Sequence, residues 1–359
     1  MWIGKPTRQF FNYFLLLVLS GSLFINVDRS MATAKSQSGL VTLEITIDAP
    51  KKSKDVRLWV PFPVSDSEQT ISDMKIKGNF TSKTVAKQNE HGDYALYAEW
   101  TKPTDDKRRL TVTFNASAIE RVKRDFPAGE IEIPYEMSKY LKSTKYTPTD
   151  GKVKEIADKI INGKMSYIEK TKAVYDWVVE NTFRDPNVVG CGIGDVEQTL
   201  AKRGGKCADI SSVYVAVARA AGIPSREVFG MRLGKGKGKM DITAGHHCWA
   251  EYYMPGYGWI PTDPADVRKI MFKKGLGLAQ ARKPRDYYYN AVDPYRLVLG
   301  KGERGIILTP TQNDGPLNYF MYPYAEVDGM ALEWLAAQKN LKYKITFAAS
   351  KQQSPGHDG

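Results

Sequence analysis

Cysteine is scarce in this sequence: Cys191, Cys207 and Cys248 are the three in 359 residues. An odd count excludes a complete disulfide framework and leaves at least one thiol free or paired between molecules. No Cys-x-x-Cys spacing occurs, which removes the usual zinc signature. Beyond residue 34 no segment is apolar enough to span a membrane. There is no internal repeat and no low-complexity tract of consequence. Basic residues exceed acidic ones, 52 Lys and Arg against 40 Asp and Glu, but they form no stripe interleaved with aromatics, so nucleic acid is not an expected partner. The excess of +12 suits transient association with anionic envelope surfaces, although lysines spread along a chain also make an ordinary solvated surface. With 42% hydrophobic and 26% charged residues, the remainder reads as a globular chain with a substantial core.

Residues 1–34 read as a targeting segment. Lys5 and Arg8 supply a positive start, an apolar stretch runs from Phe10 to Val27, and Ala32-Thr33-Ala34 offers small residues for a signal peptidase. Cleavage after Ala34 is expected; an uncleaved N-terminal membrane anchor is the competing reading. Either way the rest is expected to be exported, to a periplasm or the extracellular space.

The alternation of Val41, Leu43, Ile45 and Ile47 with polar neighbours predicts a half-buried strand, and Val56–Val60, Tyr94–Trp100 and Leu110–Phe114 predict others. Residues 35–130 therefore read as an N-terminal β-sandwich domain. Helical spacing begins after Gly151. Ile156, Ile160 and Ile161 mark one helix, and a second ends near Asn181. A third opens at Cys207, carries Ile210, Val213, Tyr214 and Val217 at helical intervals, and stops at Gly222 and Pro224. Strands are expected at Arg226–Met231, His246–Met254 and Trp259–Asp263. This core spans 131–285. A C-terminal β-rich extension over 286–349 has candidate strands at Tyr295–Val298, Ile306–Leu308 and Tyr343–Phe347 and a short helix at Met330–Gln338. A disordered tail is expected over 350–359.

Cys207 sits at the first turn of its helix, where unpaired backbone N–H groups and the helix dipole stabilise a thiolate. The glycines before it would let the backbone approach a substrate closely, and its own N–H could serve an oxyanion. On the strand from His246, alternation places His247, Trp249, Glu251 and Tyr253 on one face, with His246 and Cys248 on the other. Asp263 can lie beside His247 only if the hairpin loop has an odd number of residues, three or five. An imidazole to hold the thiolate and a carboxylate to fix the imidazole tautomer complete a nucleophilic site. Taken singly, each has a plainer reading: an inert buried cysteine, a core histidine and a turn aspartate.

The segments GGKCADISSVYVAVARAAGIPSREVFG and HCWAEYYMPGYGWIPTDPA resemble the transglutaminase-like superfamily over roughly residues 165–270. The resemblance implies an α+β fold with a papain-like core, a cysteine helix packed on an antiparallel sheet. It implies Cys207 as nucleophile, His247 as general base and acid, and Asp263 as orienting carboxylate. WVPFP resembles the β-rich leader of some exported bacterial members. Two features depart from the cross-linking members. No tryptophan lies between Trp177 and Cys207 to donate to the oxyanion, which leaves Gln198 as a candidate by side-chain chemistry alone, and no acidic cluster resembles their calcium sites.

These readings converge on a thiol enzyme acting on a protein, peptide or cell-wall amide through an acyl-thioester, by hydrolysis in preference to calcium-dependent cross-linking. They call for no cofactor and no metal. A non-catalytic cell-envelope binding module on the same fold is the alternative. A zinc site from His246, His247, Cys248 and Cys191 is disfavoured because adjacent strand residues point to opposite faces. Pairing of Cys191 with Cys248, or of Cys191 with Cys207, stays open at this level, as do substrate and oligomeric state.

Overall fold

In a computed structural model of the chain, described over Met1 and residues 35–104, 107–126, 131–161, 163–302, 304–335 and 340–350, the described residues from Lys35 onward form one compact unit. The proposed leader and the tail beyond Ser350 lie outside the described residues, and no described helix is long and apolar enough to cross a membrane.

Alternation builds the β part. In Ser36–Ile47 the odd-numbered residues from Gly39 onward are buried and the even ones are not. This strand lies at the centre of a five-stranded sheet in the order Lys239–Asp241, Leu341–Ala349, Ser36–Ile47, Arg108–Ile119, Gln69–Gly78. A second five-stranded sheet runs Met330–Ala331, Tyr324–Val327, Val56–Phe62, Tyr94–Trp100, Ser82–Lys87. Val41, Ile45, Val112 and Phe114 of the first share a core with Leu58, Val60, Leu96 and Ala98 of the second, the packing of a sandwich. Strands from beyond residue 320 complete both sheets by pairing with Ser36–Ile47 and Val56–Phe62. The second strand runs through Pro61. Its neighbour Tyr324–Val327 pairs only as far as Trp59, so the missing N–H costs no ladder bond on that side.

A separate four-stranded antiparallel sheet, in the order Gly258–Thr262, His246–Met254, Ser225–Arg232, Arg296–Lys301, carries the helices. Against it packs Cys207–Ala220, whose residues 207–218 are all buried. The sequence pattern suggests one apolar stripe, but this helix is enclosed by the helices Gly151–Ile160, Tyr167–Asn181, Val196–Lys202 and Pro264–Lys274 as well as the sheet. Small residues at Ala208, Ser211, Ser212, Ala216 and Ala218 let those neighbours close in. It ends as expected, with Gly222 in the left-handed region at φ +79°.

Some expectations fail. Met330–Ala331 is a strand paired with Glu326–Val327, not the start of a helix, and residues 336–339 lie outside the described residues. Ile306–Leu308 contributes only a bridge to Leu317. The helices Val196–Lys202, Pro264–Lys274 and Arg282–Tyr288 are additional.

Glu251 ties the site sheet to the sandwich. Its Oε2 accepts from Arg226 Nε and Nη2 at 2.9 and 2.7 Å, and its Oε1 from Arg121 Nη1 at 2.9 Å. Burial pushes the carboxyl up, but Arg226 and Arg121 outweigh it and hold the group at about 2, against an ordinary 4.5. A carboxyl lowered on folding stabilises the fold above its unfolded value and loses that contribution as pH falls through its folded one. Glu251→Ala should cost about 3–5 kcal/mol at neutral pH, because it strands the buried Arg226 and leaves Arg121 with Glu68 alone. The variant should also flatten the acid limb of the stability curve between pH 4.5 and about 2, as read from urea midpoints. An unchanged acid limb would contradict this assignment.

Candidate active site

The loop before the helix Cys207–Ala220 is fastened to its first turn. Ala208 N–H donates to Cys191 O at 2.9 Å, and the Asp209 carboxylate accepts from Lys206 N–H and Gly194 N–H, both at 2.8 Å. Two glycines make this possible. A Cβ on Gly192, at φ +87°, would meet Asp209 Oδ2 at 2.0 Å, and one on Gly205 would meet Asp209 Cβ at 2.5 Å. The glycine before the cysteine thus serves packing against Asp209, where the sequence suggests room for substrate. The Cys207 N–H, at the first helical position, donates to no group among the described residues.

His246–Met254 and Gly258–Thr262 are joined by the three-residue loop Pro255-Gly256-Tyr257, the odd length that the face argument requires. Tyr253 pairs with Trp259 and Glu251 with Pro261, so Asp263, just past the strand, falls on the face of His247. His247 Nε2 lies 2.7 Å from Asp263 Oδ2. With Nε2–H donated to the carboxylate, the neutral ring presents Nδ1 as its basic nitrogen. Both side chains are buried, and the cleft beyond them, of about 650 Å³, is lined by Cys207, Cys191, His246 and His247 among others.

Asp263 is also the N-cap of Pro264–Lys274: its Oδ1 accepts from Asp266 N–H at 2.8 Å, and Pro264 occupies the first helical position. Its Oδ2 accepts a further hydrogen bond from Arg296 Nη1 at 2.6 Å. Arg296, from the far strand of the sheet, also bonds Asp266 and Asp293 and stacks over Trp249 at 5.6 Å. Burial lowers this guanidinium's pKa, but Asp266, Asp263 and Asp293 raise it far more, so it stays charged.

The three thiols are free and mutually close: the sulfurs of Cys191, Cys207 and Cys248 lie within 4.8 Å of one another. Cys207 is held well below the usual thiol range chiefly by the neighbouring Cys191 and then Cys248, with His247 adding to them against the opposing effect of burial. The partner thiols move the other way. Cys191, whose thiol donates to His246 O at 3.3 Å, rises chiefly because of the neighbouring Cys207, and Cys248 chiefly because of burial. His246 is distinct from His247. Burial drives it down to about 4, so it is neutral at physiological pH, and its ring lies against Tyr322 at 4.4 Å.

Cys207, His247 and Asp263 are therefore brought together. Gln198 is not with them: it lines a separate groove and donates to Asp195 Oδ2 at 2.9 Å. Trp177 lies on the helix Tyr167–Asn181, beneath Arg203. His246 and His247 both line the cleft, although alternation along the strand places them on opposite faces. Arg296, Asp266 and Tyr322 join the site without a sequence signal of their own, since each reaches it by tertiary packing. The triplet His247, Asp263 and Asp266 has metal-ligand atoms within 4.8 Å, but Arg296 and Arg232 already neutralise those carboxylates and would repel a cation. The thiol triplet has ligands of a soft-metal type.

Residues 154–264 match the profile of the transglutaminase-like superfamily. An uncharacterized protein of Haemophilus influenzae is 36% identical over 315 residues, which is 78% of this chain and 83% of that protein. The chain belongs to the transglutaminase-like superfamily. A protein-glutamine gamma-glutamyltransferase of Pseudomonas aeruginosa is 33% identical over 105 residues, 28% of this chain but 15% of that much longer protein. The crystal structure of a candidate cysteine protease from Cytophaga hutchinsonii superposes with a TM-score of 0.52 at 14% identity, over 88% of this chain and 98% of that one. At that identity the likeness establishes the fold alone: a transglutaminase-like core of helices on antiparallel sheet.

Arg296→Met should destabilise the protein by about 3–5 kcal/mol, because it leaves buried carboxylates uncompensated. Lys154→Met, which breaks the surface pair with Asp158, should cost about 0.3–0.5 kcal/mol. Equal shifts in the two urea midpoints would show that Arg296 is not the cation holding this cluster.

Proposed function

We propose that the protein is an exported cysteine enzyme that cleaves amide bonds through a Cys207 acyl-thioester, with His247 as general base and acid and Asp263 as the residue that positions it. The observation that carries this reading is the 2.7 Å His247–Asp263 hydrogen bond beside a cleft whose other wall begins with Cys207 at a helix N-terminus. Export rests on the leader-like residues 1–34.

The Cys207 thiolate attacks the amide carbonyl carbon, a C–S bond forms, and the carbonyl electrons move to oxygen. The Cys207 N–H is the available donor to that oxyanion. As the tetrahedral species collapses the C–N bond breaks, and His247 Nδ1, which took the Cys207 thiol proton as the thiolate formed, gives that proton to the departing amine. Water, losing a proton to His247, then attacks the thioester, releasing the acid and restoring the thiolate. An amine in place of water would give transfer, the reaction named for the Pseudomonas aeruginosa relative. Hydrolysis is favoured here because the sequence carries no acidic cluster like the calcium sites of cross-linking members. A protein, peptide or cell-wall amide is the expected substrate class.

Intact-mass spectrometry of the enzyme quenched during turnover of a peptide anilide should reveal an acyl adduct on Cys207. Cys207→Ala should abolish both adduct and turnover, and Asp263→Asn should lower kcat about 10³–10⁴-fold with little change in KM. Turnover that survives Cys207→Ala would sink the proposal.

A further inference from the structure

The cleft that holds Cys207 is lined by five cationic side chains, Arg184, Lys206, Arg232, Lys269 and Lys273, and by one carboxylate, Asp241. The whole chain carries 52 basic and 40 acidic residues, so five to one is a local concentration rather than a sample of the surface. The cations converge from separate parts of the fold. Arg184 lies beside Gly205 in a short parallel pairing, and Lys206 caps the nucleophile helix. Arg232 ends its strand, and Lys269 and Lys273 stand one turn apart on Pro264–Lys274.

These charges are largely uncompensated within the protein. Arg232 is paired with Asp266, which Arg296 already shares. Arg184, Lys206, Lys269 and Lys273 form no ion pair among the described residues. Lys269 is partly buried, and burial, then Arg232 and more weakly Arg184, pull it down to about 8, while Asp266 and Cys207 oppose them. Half-buried like charges facing one cavity raise the concentration of anions in it and bind a counter-charge that the chain does not supply.

We infer that the cleft is built for an acidic peptide: carboxylates flanking the scissile amide are held by Lys269, Arg184 and Lys206, which line the cleft around Cys207. The inference rests on Cys207 being the reactive thiol of the proposed function. Because the reacting group is an amide, the anion must belong to an amide-bearing chain, which singles out carboxylate side chains or termini of a peptide.

Iodoacetate and iodoacetamide test this without a known substrate, since they alkylate the same sulfur and differ in charge. With per-cysteine rates read by mass spectrometry near pH 7, the iodoacetate-to-iodoacetamide rate ratio at Cys207 should exceed that of free glutathione about 10-fold or more. The excess should shrink in about 0.5 M salt. It should also shrink in Lys269→Gln and, separately, in Arg184→Gln, so the test survives if one variant folds poorly. In turnover, peptides with Glu flanking the cleaved bond should outperform their Gln counterparts by a similar factor in kcat/KM, mainly through KM. Rapid iodoacetamide labelling of Cys207 with a glutathione-like ratio would overturn the acidic-peptide inference and leave the thiol-enzyme reading standing. Failure of Cys207 to react with either reagent would overturn both.

Discussion

Asp263 divides its two oxygens between the fold and the chemistry. Oδ1 accepts from the Asp266 N–H and starts the helix Pro264–Lys274, while Oδ2 lies between His247 Nε2 and Arg296 Nη1. The carboxylate therefore has almost no freedom to turn, and the imidazole it holds inherits that rigidity. The three-residue hairpin places it on the right face, and Arg296 spans to it from the opposite edge strand of the sheet. Without the guanidinium, Asp263 and Asp293 would lie beside Asp266 with only His247 and the Arg232 partner of Asp266 to balance them, an arrangement that desolvation would not tolerate.

The thiol side is organised by a different balance. A buried sulfur resists ionisation, yet Cys207 has a helix N-terminus behind it, two thiols beside it, and His247 within reach. Cys191 and Cys248 remain protonated as the counterpart of that arrangement. The loop bearing Cys191 is itself anchored to the helix by Asp209, so a single first-turn carboxylate sets both the entry of the Cys207 helix and the position of the neighbouring Cys191 thiol. Around this centre the cleft is cationic, with Asp241 its one carboxylate.

Much of this was legible along the chain. Alternation in Ser36–Ile47, the helix opened by Cys207 and closed by Gly222, and the parity of the Pro255–Tyr257 loop are local properties, and local properties are written in consecutive residues. The residues of the proposed triad were found through them. Pairing at long range was not legible. Nothing around Leu341 announces Ser36–Ile47 as its partner, and nothing around Arg296 announces Asp263. The helix after Asp263 had its signals in plain sight, an aspartate cap, Pro264 at the first position and Gly275 at φ +62° beyond the end, but they also fit a turn. Gln198 illustrates the opposite error: suitable chemistry without a geometric constraint, and the fold turns it toward Asp195.

The central claim is that Cys207 is a thiolate because of its surroundings and that His247, fixed by Asp263, is part of the cause. Ultraviolet titration of thiolate absorbance in the reduced protein measures this directly. The wild type should show one thiolate forming well below the ordinary thiol range, absent from Cys207→Ala and shifted upward in His247→Ala, with Asp263→Asn between them. A Cys207 that ionises together with Cys191 and Cys248, at a pH indifferent to His247, would contradict the account.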